Sequence, residues 1–196
     1  MGLGKTIQVI SFLEKMYENN KESHVLLIVP ASLLGNWSKE IDKFAPRMTY
    51  HILHGKTNIL DEDCFATITT YGMALRNEYL QERVWDCLIL DEAQAIKNPA
   101  TKQTRAIKKI PSKMRIAMTG TPIENDLSNL WSLFDFLNKG LLGSATDFKN
   151  YTKKVQAHPE YITKLKMMVS PFILRRLKTD KSIISDLPDK MEITEH

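Results

Sequence analysis

Six residues at the start of the chain, Met1-Gly2-Leu3-Gly4-Lys5-Thr6, have the composition of a phosphate-binding loop. The pattern G-x-x-x-x-G-K-[ST] closes on Gly4-Lys5-Thr6. Gly2 and Gly4 lack a Cβ, so the backbone around them and Leu3 can turn its N–H groups onto phosphate oxygens. Lys5 supplies a cation for the outer phosphates, and Thr6 a hydroxyl for Mg²⁺. A bare G-K-T recurs by chance, and the competing reading is a glycine turn before an ordinary helix. Further along, the apolar run Cys87-Leu88-Ile89-Leu90 ends on two carboxylates, Asp91-Glu92. One carboxylate can serve Mg²⁺, directly or through its waters, while the next orients and deprotonates an attacking water. The competing reading is an acid-rich helix start, and it weakens once Lys5 and Thr6 are counted. A third candidate, Thr119-Gly120-Thr121, follows the run Arg115-Ile116-Ala117-Met118.

Those residues need a frame that brings them together, and the hydrophobic pattern supplies one. His24-Val25-Leu26-Leu27-Ile28-Val29 is almost wholly apolar, as a strand buried on both faces requires. Pro30 ends it, and Ser32 is placed to cap a helix reaching Phe44. Further strands are expected at 49–53, 66–70, 87–90 and 115–118. Helical patterns lie between them, which implies crossover connections and a parallel sheet. The expected fold class is therefore α/β, a parallel sheet flanked by helices. In such sheets ligands bind beyond the carboxyl ends of the strands, where all three candidate groups fall. From about Leu127 the pattern becomes wholly helical, with Leu130, Leu133, Phe134 and Leu137 at helical spacing and lysine-rich amphipathic stretches at 146–155 and 160–169. The expected division is 1–137 for the α/β part, lacking its first strand, and 138–196 for a helical appendage reaching to about 185 and the start of a linker.

At 196 residues the chain is long enough for one sizeable core. Hydrophobic residues at 43% and charged residues at 26% are the proportions of a soluble globular protein. No apolar run approaches the ~20 residues that span a bilayer. Cys64 and Cys87 have no metal-ligand spacing and read as ordinary reduced thiols. The net charge of +4 permits an anionic partner without requiring one. Basic residues gather at Lys102, Arg105, Lys108, Lys109, Lys113 and Arg115, and again at Arg175, Arg176, Lys178 and Lys181. Each cluster taken alone reads as a solvated helix face.

The order of the motifs carries a resemblance. The loop at the start, then Asp91-Glu92-Ala93-Gln94, then Thr119-Gly120-Thr121-Pro122 resemble motifs I, II and III of superfamily 2 helicase-like ATPases. Finer features narrow this to the Swi/Snf-type DNA translocases. They are Pro30-Ala31-Ser32-Leu33-Leu34 with Asn36-Trp37 and Glu40, Thr69-Thr70-Tyr71, and Ile96-Lys97-Asn98. Ile123-Glu124-Asn125 with Leu130-Trp131, and Pro171-Phe172-Ile173-Leu174-Arg175-Arg176, complete the set. The resemblance implies a first RecA-like lobe with a helical protrusion, a second RecA-like lobe as its partner, and ATP held between the two with duplex DNA across both. It implies that Gly2, Leu3, Gly4, Lys5 and Thr6, with Gln94, bind the nucleotide. Thr6 and Asp91 would serve Mg²⁺, and Lys5, Asp91 and Glu92 would carry the chemistry. Pro30, Ala31, Ser32, Asn36, Trp37, Thr70 and Tyr71 would meet or support the DNA backbone, with Trp37 more a packing residue than a base-stacking one. Thr119, Gly120 and Thr121 would couple nucleotide state to DNA grip. The work implied is ATP-driven movement on duplex DNA that remodels protein–DNA complexes. The location implied is intracellular, cytoplasmic in a bacterium and nuclear in a eukaryote, with no membrane partner.

Three departures from that pattern shape the expectations. Gln94 stands where many relatives have His, and an amide can still hydrogen-bond. The loop begins at the third of its eight positions, without the strand that normally launches it. The second lobe, with the arginine it contributes, is absent, and such an arginine is worth roughly 10³–10⁵ in rate. The isolated chain is therefore expected to turn over almost no ATP, leaving a non-catalytic DNA-binding module as the alternative reading, with a strand-separating helicase as another. The sheet is expected to be damaged, with apolar surface exposed along 25–29 and 87–90.

Overall fold

The computed structural model describes residues 4–55, 61–120, 127–158 and 160–175. These residues fall into two compact units, Gly4–Thr152 and the part of Lys153–His196 that lies within the described range.

The first unit is built on five parallel strands, β1 (Val25–Val29), β2 (Tyr50–Leu53), β3 (Ala66–Thr70), β4 (Trp85–Leu90) and β5 (Ser112–Ala117). Their order is β2-β3-β1-β4-β5. Leu27 stands opposite Ile68 on one side and Ile89 on the other, so β1 is paired along both edges. Helix α1 (Lys5–Asn19) precedes the strands, α2 (Leu34–Phe44), α3 (Tyr71–Arg76), α4 (Glu78–Glu82) and α5 (Lys102–Lys109) lie between them in sequence, and α6 (Leu127–Leu137) follows β5. The expected α/β architecture is the observed one.

Alternation along β1 divides the core in two. Val25, Leu27 and Val29 join Val9, Ile10 and Leu13 of α1 and Trp37 and Ile41 of α2 in one cluster. Leu26 and Ile28 face the other way, onto Tyr71, Met73, Leu80, Ile107 and Phe136 from α3, α4, α5 and α6. A strand read by both layers must be apolar at every position, which is why its sequence shows no alternation. The expectation of apolar surface along 25–29 and 87–90 is overturned. Val25–Val29 and Cys87–Leu90 are all 0% exposed, because β1 and β4 have neighbours on both sides and helices on both faces. The partly exposed strands are the two edges, β2 and β5, where Ile52 is 36% and Met114 39% exposed.

Two local expectations are also revised. Ser32 does not cap α2. Residues Ala31–Leu33 form a 3₁₀ turn, and the helix starts at Leu34 without a side-chain cap. β5 begins three residues before the expected 115, since Lys113 and Met114 at its exposed edge lack the apolar run that marks a buried strand. Nor is the basic cluster of 102–115 uniformly solvated. Lys108 pairs with Asp135 at 2.8 Å. The Arg115 guanidinium donates to the carbonyls of Ile110 and Phe136, each at 2.8 Å. Arg115 thus ties β5 to the ends of α5 and α6, while Lys102, Arg105 and Lys109 stay exposed.

Helix α7 (Ala145–Ala157) follows a turn held to α6 by the Trp131 indole N–H, which donates to the Gly143 carbonyl at 3.1 Å. In the second unit, α8 (Glu160–Val169) buries Leu165 and Val169 and leads into a 3₁₀ turn at Ser170–Phe172. No helix among the described residues is long and apolar enough to cross a membrane.

Candidate nucleotide site at the carboxyl edge

The carboxyl ends of β1, β3, β4 and β5 open onto one edge, and the candidate residues gather there. Gly4 is the N-cap of α1, with φ +70. That left-handed backbone suits glycine and strains any residue with a Cβ. No side chain caps α1 and no acid lies in its first turn. Its first N–H groups therefore lack side-chain partners and carry the partial positive charge that attracts an anion. Lys5 and Thr6 form the first residues of this helix, and Lys5 is half-buried. A Cβ built on Gly120 would lie 3.5 Å from Lys5 Nζ. The lysine of the first motif and the glycine of the third therefore sit side by side, although the sequence separates them by more than a hundred residues.

Asp91 follows β4 and is 6% exposed. Its backbone N–H donates to the Ile28 carbonyl at 2.9 Å, which carries the sheet ladder one residue past the strand. Its carboxylate takes one donor on each oxygen: Glu92 N–H on Oδ1 at 2.9 Å and the Trp37 indole N–H on Oδ2 at 2.8 Å. The Tyr71 hydroxyl donates to the Asp91 carbonyl at 2.7 Å. Burial, and after it the charges of Asp91 and Glu92, pushes the Tyr71 hydroxyl well above the usual phenol range, so it keeps its proton and remains a donor.

Glu92 has φ 50 and ψ 53, the one non-glycine residue with positive φ among those described. Such a conformation costs on the order of 1–3 kcal/mol and persists where its surroundings impose it. It turns the Glu92 side chain off the strand line into a hydrogen-bonded chain. Gln94 Nε2 donates to Glu92 Oε2 at 2.7 Å, and Thr119 Oγ1 donates to Gln94 Oε1 at 2.9 Å. Backbone bonds stitch the same place together, Ala93 N–H to the Met118 carbonyl and Met118 N–H to the Leu90 carbonyl, each at 2.8 Å. Gln94 thus spans from the second motif to the third, with its amide donating on one side and accepting on the other.

A carboxylate has about four lone-pair sites. With one hydrogen bond on each oxygen, Asp91 retains acceptor capacity for a cation or its waters. Among the described residues no group of three or more His, Cys, Asp or Glu could hold a metal alone. Mg²⁺ fits here on the terms usual in nucleotide sites, one carboxylate plus substrate phosphates.

The residues expected to meet DNA divide into two sets. Ala31, Ser32 and Asn36 are exposed and Pro30 half-exposed. Trp37 and Tyr71 are 1% and 7% exposed and turned onto Asp91. Neither presents a surface to a duplex, so of the two expected roles, meeting or supporting the DNA backbone, only the supporting one is compatible with their burial. Thr70 is 7% exposed and caps α3, accepting from Met73 N–H at 3.3 Å. Gly2, Leu3 and Thr121 lie outside the described residues. The grip of Trp37 on Asp91 has no sequence signal, since 54 positions separate the two.

The SNF2-related domain family matches residues 1–196. The chain is 41% identical over 204 residues to YwqA of Bacillus subtilis, named as an ATP-dependent helicase/translocase, covering 98% of this chain and 22% of that protein. It is 38% identical over 209 residues to the human DNA excision repair protein ERCC-6-like, covering 92% of this chain and 17% of that protein. Among solved structures, the Sulfolobus solfataricus SWI2/SNF2 ATPase core in complex with dsDNA superposes with a TM-score of 0.90 at 46% identity, covering 96% of this chain and 41% of that one. The chain thus spans less than a quarter of the length of these two protein relatives.

Proposed function

This chain belongs to the SNF2-related domain family, and from that premise we propose that it is the first RecA-like lobe of an ATPase that moves along duplex DNA. The observation that carries the reading is the convergence at one sheet edge of Lys5, Asp91, Glu92, Gln94 and Thr119. Lys5 and the N–H groups of α1 hold the phosphates, with Gly2, Leu3 and Gly4 shaping the loop. Thr6 and Asp91 hold Mg²⁺, which when bound offsets the phosphate charge. Glu92 orients the attacking water and accepts its proton. Gln94 sets where the Glu92 carboxylate points and reports to Thr119, with Gly120 and Thr121 in the coupling segment. A second RecA-like lobe closes on the nucleotide from the other side, and the chain from residue 138 onward supplies the protrusion and the start of the linker to that lobe.

The DNA reading rests on the exposed residues Ala31, Ser32, Gly35 and Asn36 beside this edge and on the duplex held by the SWI2/SNF2 core of similar fold. Pro30, Ala31, Ser32 and Asn36 carry no formal charge, so contacts from them would go to the phosphate and sugar backbone through N–H groups and small polar side chains. Such contacts position a protein on a duplex without reading its sequence. Movement along duplex, with remodelling of bound proteins, requires that indifference.

The test uses the whole protein. ATP turnover should rise on addition of duplex DNA of any sequence. A third strand annealed to the duplex should be displaced as ATP is consumed, while a forked duplex stays paired. Hydrolysis indifferent to duplex would overturn the DNA part of the proposal. Separation of the fork would favour a strand-separating helicase instead.

A further inference from the structure

Asp91 is held from both layers of the fold at once. Trp37, in the helix layer with α1, donates its indole N–H to Asp91 Oδ2 at 2.8 Å. Tyr71, in the layer on the opposite face of the sheet, donates its hydroxyl to the Asp91 carbonyl at 2.7 Å. Both donors are buried, so water does not compete for these bonds. Each donor also sits at the root of a segment that reaches the surface. Trp37 directly follows the exposed Gly35 and Asn36, one turn beyond the exposed Ala31 and Ser32. Tyr71 joins Thr70, the last residue of β3, to the half-exposed Gly72. A shift of either segment moves an indole or a phenol whose partner is the acid at the end of β4.

We propose that Trp37 and Tyr71 are positioning residues that transmit occupancy of the exposed surface of residues 30–36 and of Gly72 by duplex DNA to the orientation of Asp91, and through it to the affinity for Mg²⁺ with nucleotide. The proposal rests on the reading of this edge as a nucleotide site beside a duplex track. Geometry gives the two links different tasks. The Trp37 bond ends on a carboxylate oxygen and sets rotation of the side chain. The Tyr71 bond ends on the backbone carbonyl and sets where the strand end lies. Glu92 inherits both, because its N–H is bonded to Asp91 Oδ1 at 2.9 Å. Phe at either position keeps an aromatic ring in the core while deleting the donor.

The test compares Trp37→Phe and Tyr71→Phe with the parent in the whole protein. The primary readout is the Mg²⁺ midpoint for binding a fluorescent non-hydrolysable ATP analogue, with and without a short duplex. In the parent, duplex should shift this midpoint. In each variant the shift should fall at least about ten-fold, the scale set by losing a hydrogen bond of this kind. Duplex affinity without nucleotide should stay within about two-fold of the parent. Melting curves identify a variant that fails to fold, and the second variant then carries the test. A parent without the midpoint shift, or variants that retain it, would overturn the link. If the parent's hydrolysis does not respond to duplex at all, the functional reading fails first, and that result is separate from the variants.

Discussion

Two adjacent carboxylates at the end of β4 are held in opposite ways. Asp91 is buried, continues the sheet ladder through its backbone N–H and has a donor on each oxygen, one of them 54 residues away. Glu92 is half-exposed, sits in left-handed backbone and is held at one oxygen by a side chain two residues away. The first arrangement suits a group that must stay still under a cation. The second suits a group that must accept a proton and release it, since a single local contact is easily exchanged. The comparison teaches that burial and strain have been divided between the two positions, with packing fixing one and backbone geometry aiming the other.

The sharpest test of that division is Glu92→Gln in the whole protein. Hydrolysis should fall about 10²–10⁴-fold, the usual worth of general base catalysis, while nucleotide affinity and melting hold. Lys5→Ala should do the reverse, weakening nucleotide binding itself, and single-turnover rates read beside affinities separate the two. A Glu92→Gln protein that hydrolyses at the parent rate would break the assignment. Next in size, Asp91→Leu should lower stability by about 1–3 kcal/mol in denaturant unfolding. It leaves the Trp37 N–H buried without a partner, whereas Glu92→Leu, lacking such an orphan, should cost less. Equal losses at both positions would erase the distinction. Gln94→Leu should slow hydrolysis about ten-fold without changing duplex affinity, because Glu92 loses the amide donor on its carboxylate. The smallest effect is expected for Glu92→Gly. Relief of the left-handed backbone should raise stability by about 0.5–1 kcal/mol even as activity is lost. A destabilised glycine variant would show that the side chain matters more to folding than its backbone strain.

Much of this was legible from local sequence. The apolar runs of β1 and β4 announce strands covered on both faces, and the two carboxylates mark the carboxyl edge. Lys5 and Thr119 could be assigned to the same edge because parallel topology leaves nowhere else for them. The start of β5 was hidden because an edge strand with Lys113 and Met114 has no buried run to show. The start of α2 was hidden because Ser32 has the composition of a cap while the backbone there closes as a 3₁₀ turn. The aim of Trp37 and Tyr71 was illegible in a different sense. Both residues suit a core or a surface, and only the packing of two layers against β4 decides that their polar atoms meet Asp91. Arg115 is a similar case, a cation in a basic stretch whose partners are the Ser112 hydroxyl and backbone carbonyls rather than solvent.

The strand order also has a consequence for synthesis. β1 is the third strand across the sheet, and its partners are β3 and β4. Neither exists when Val25–Val29 leaves the ribosome, and about sixty more residues must follow before β4 is made. At roughly 5–20 residues per second, that is a wait of several seconds. Throughout it, the most apolar five-residue stretch of the fold has two open edges and nothing to pair with, a hazard for association with other nascent chains. Chaperone dependence during translation should therefore trace to this segment. A ribosome stalled between β1 and β3 should hold the nascent chain in its most aggregation-prone state.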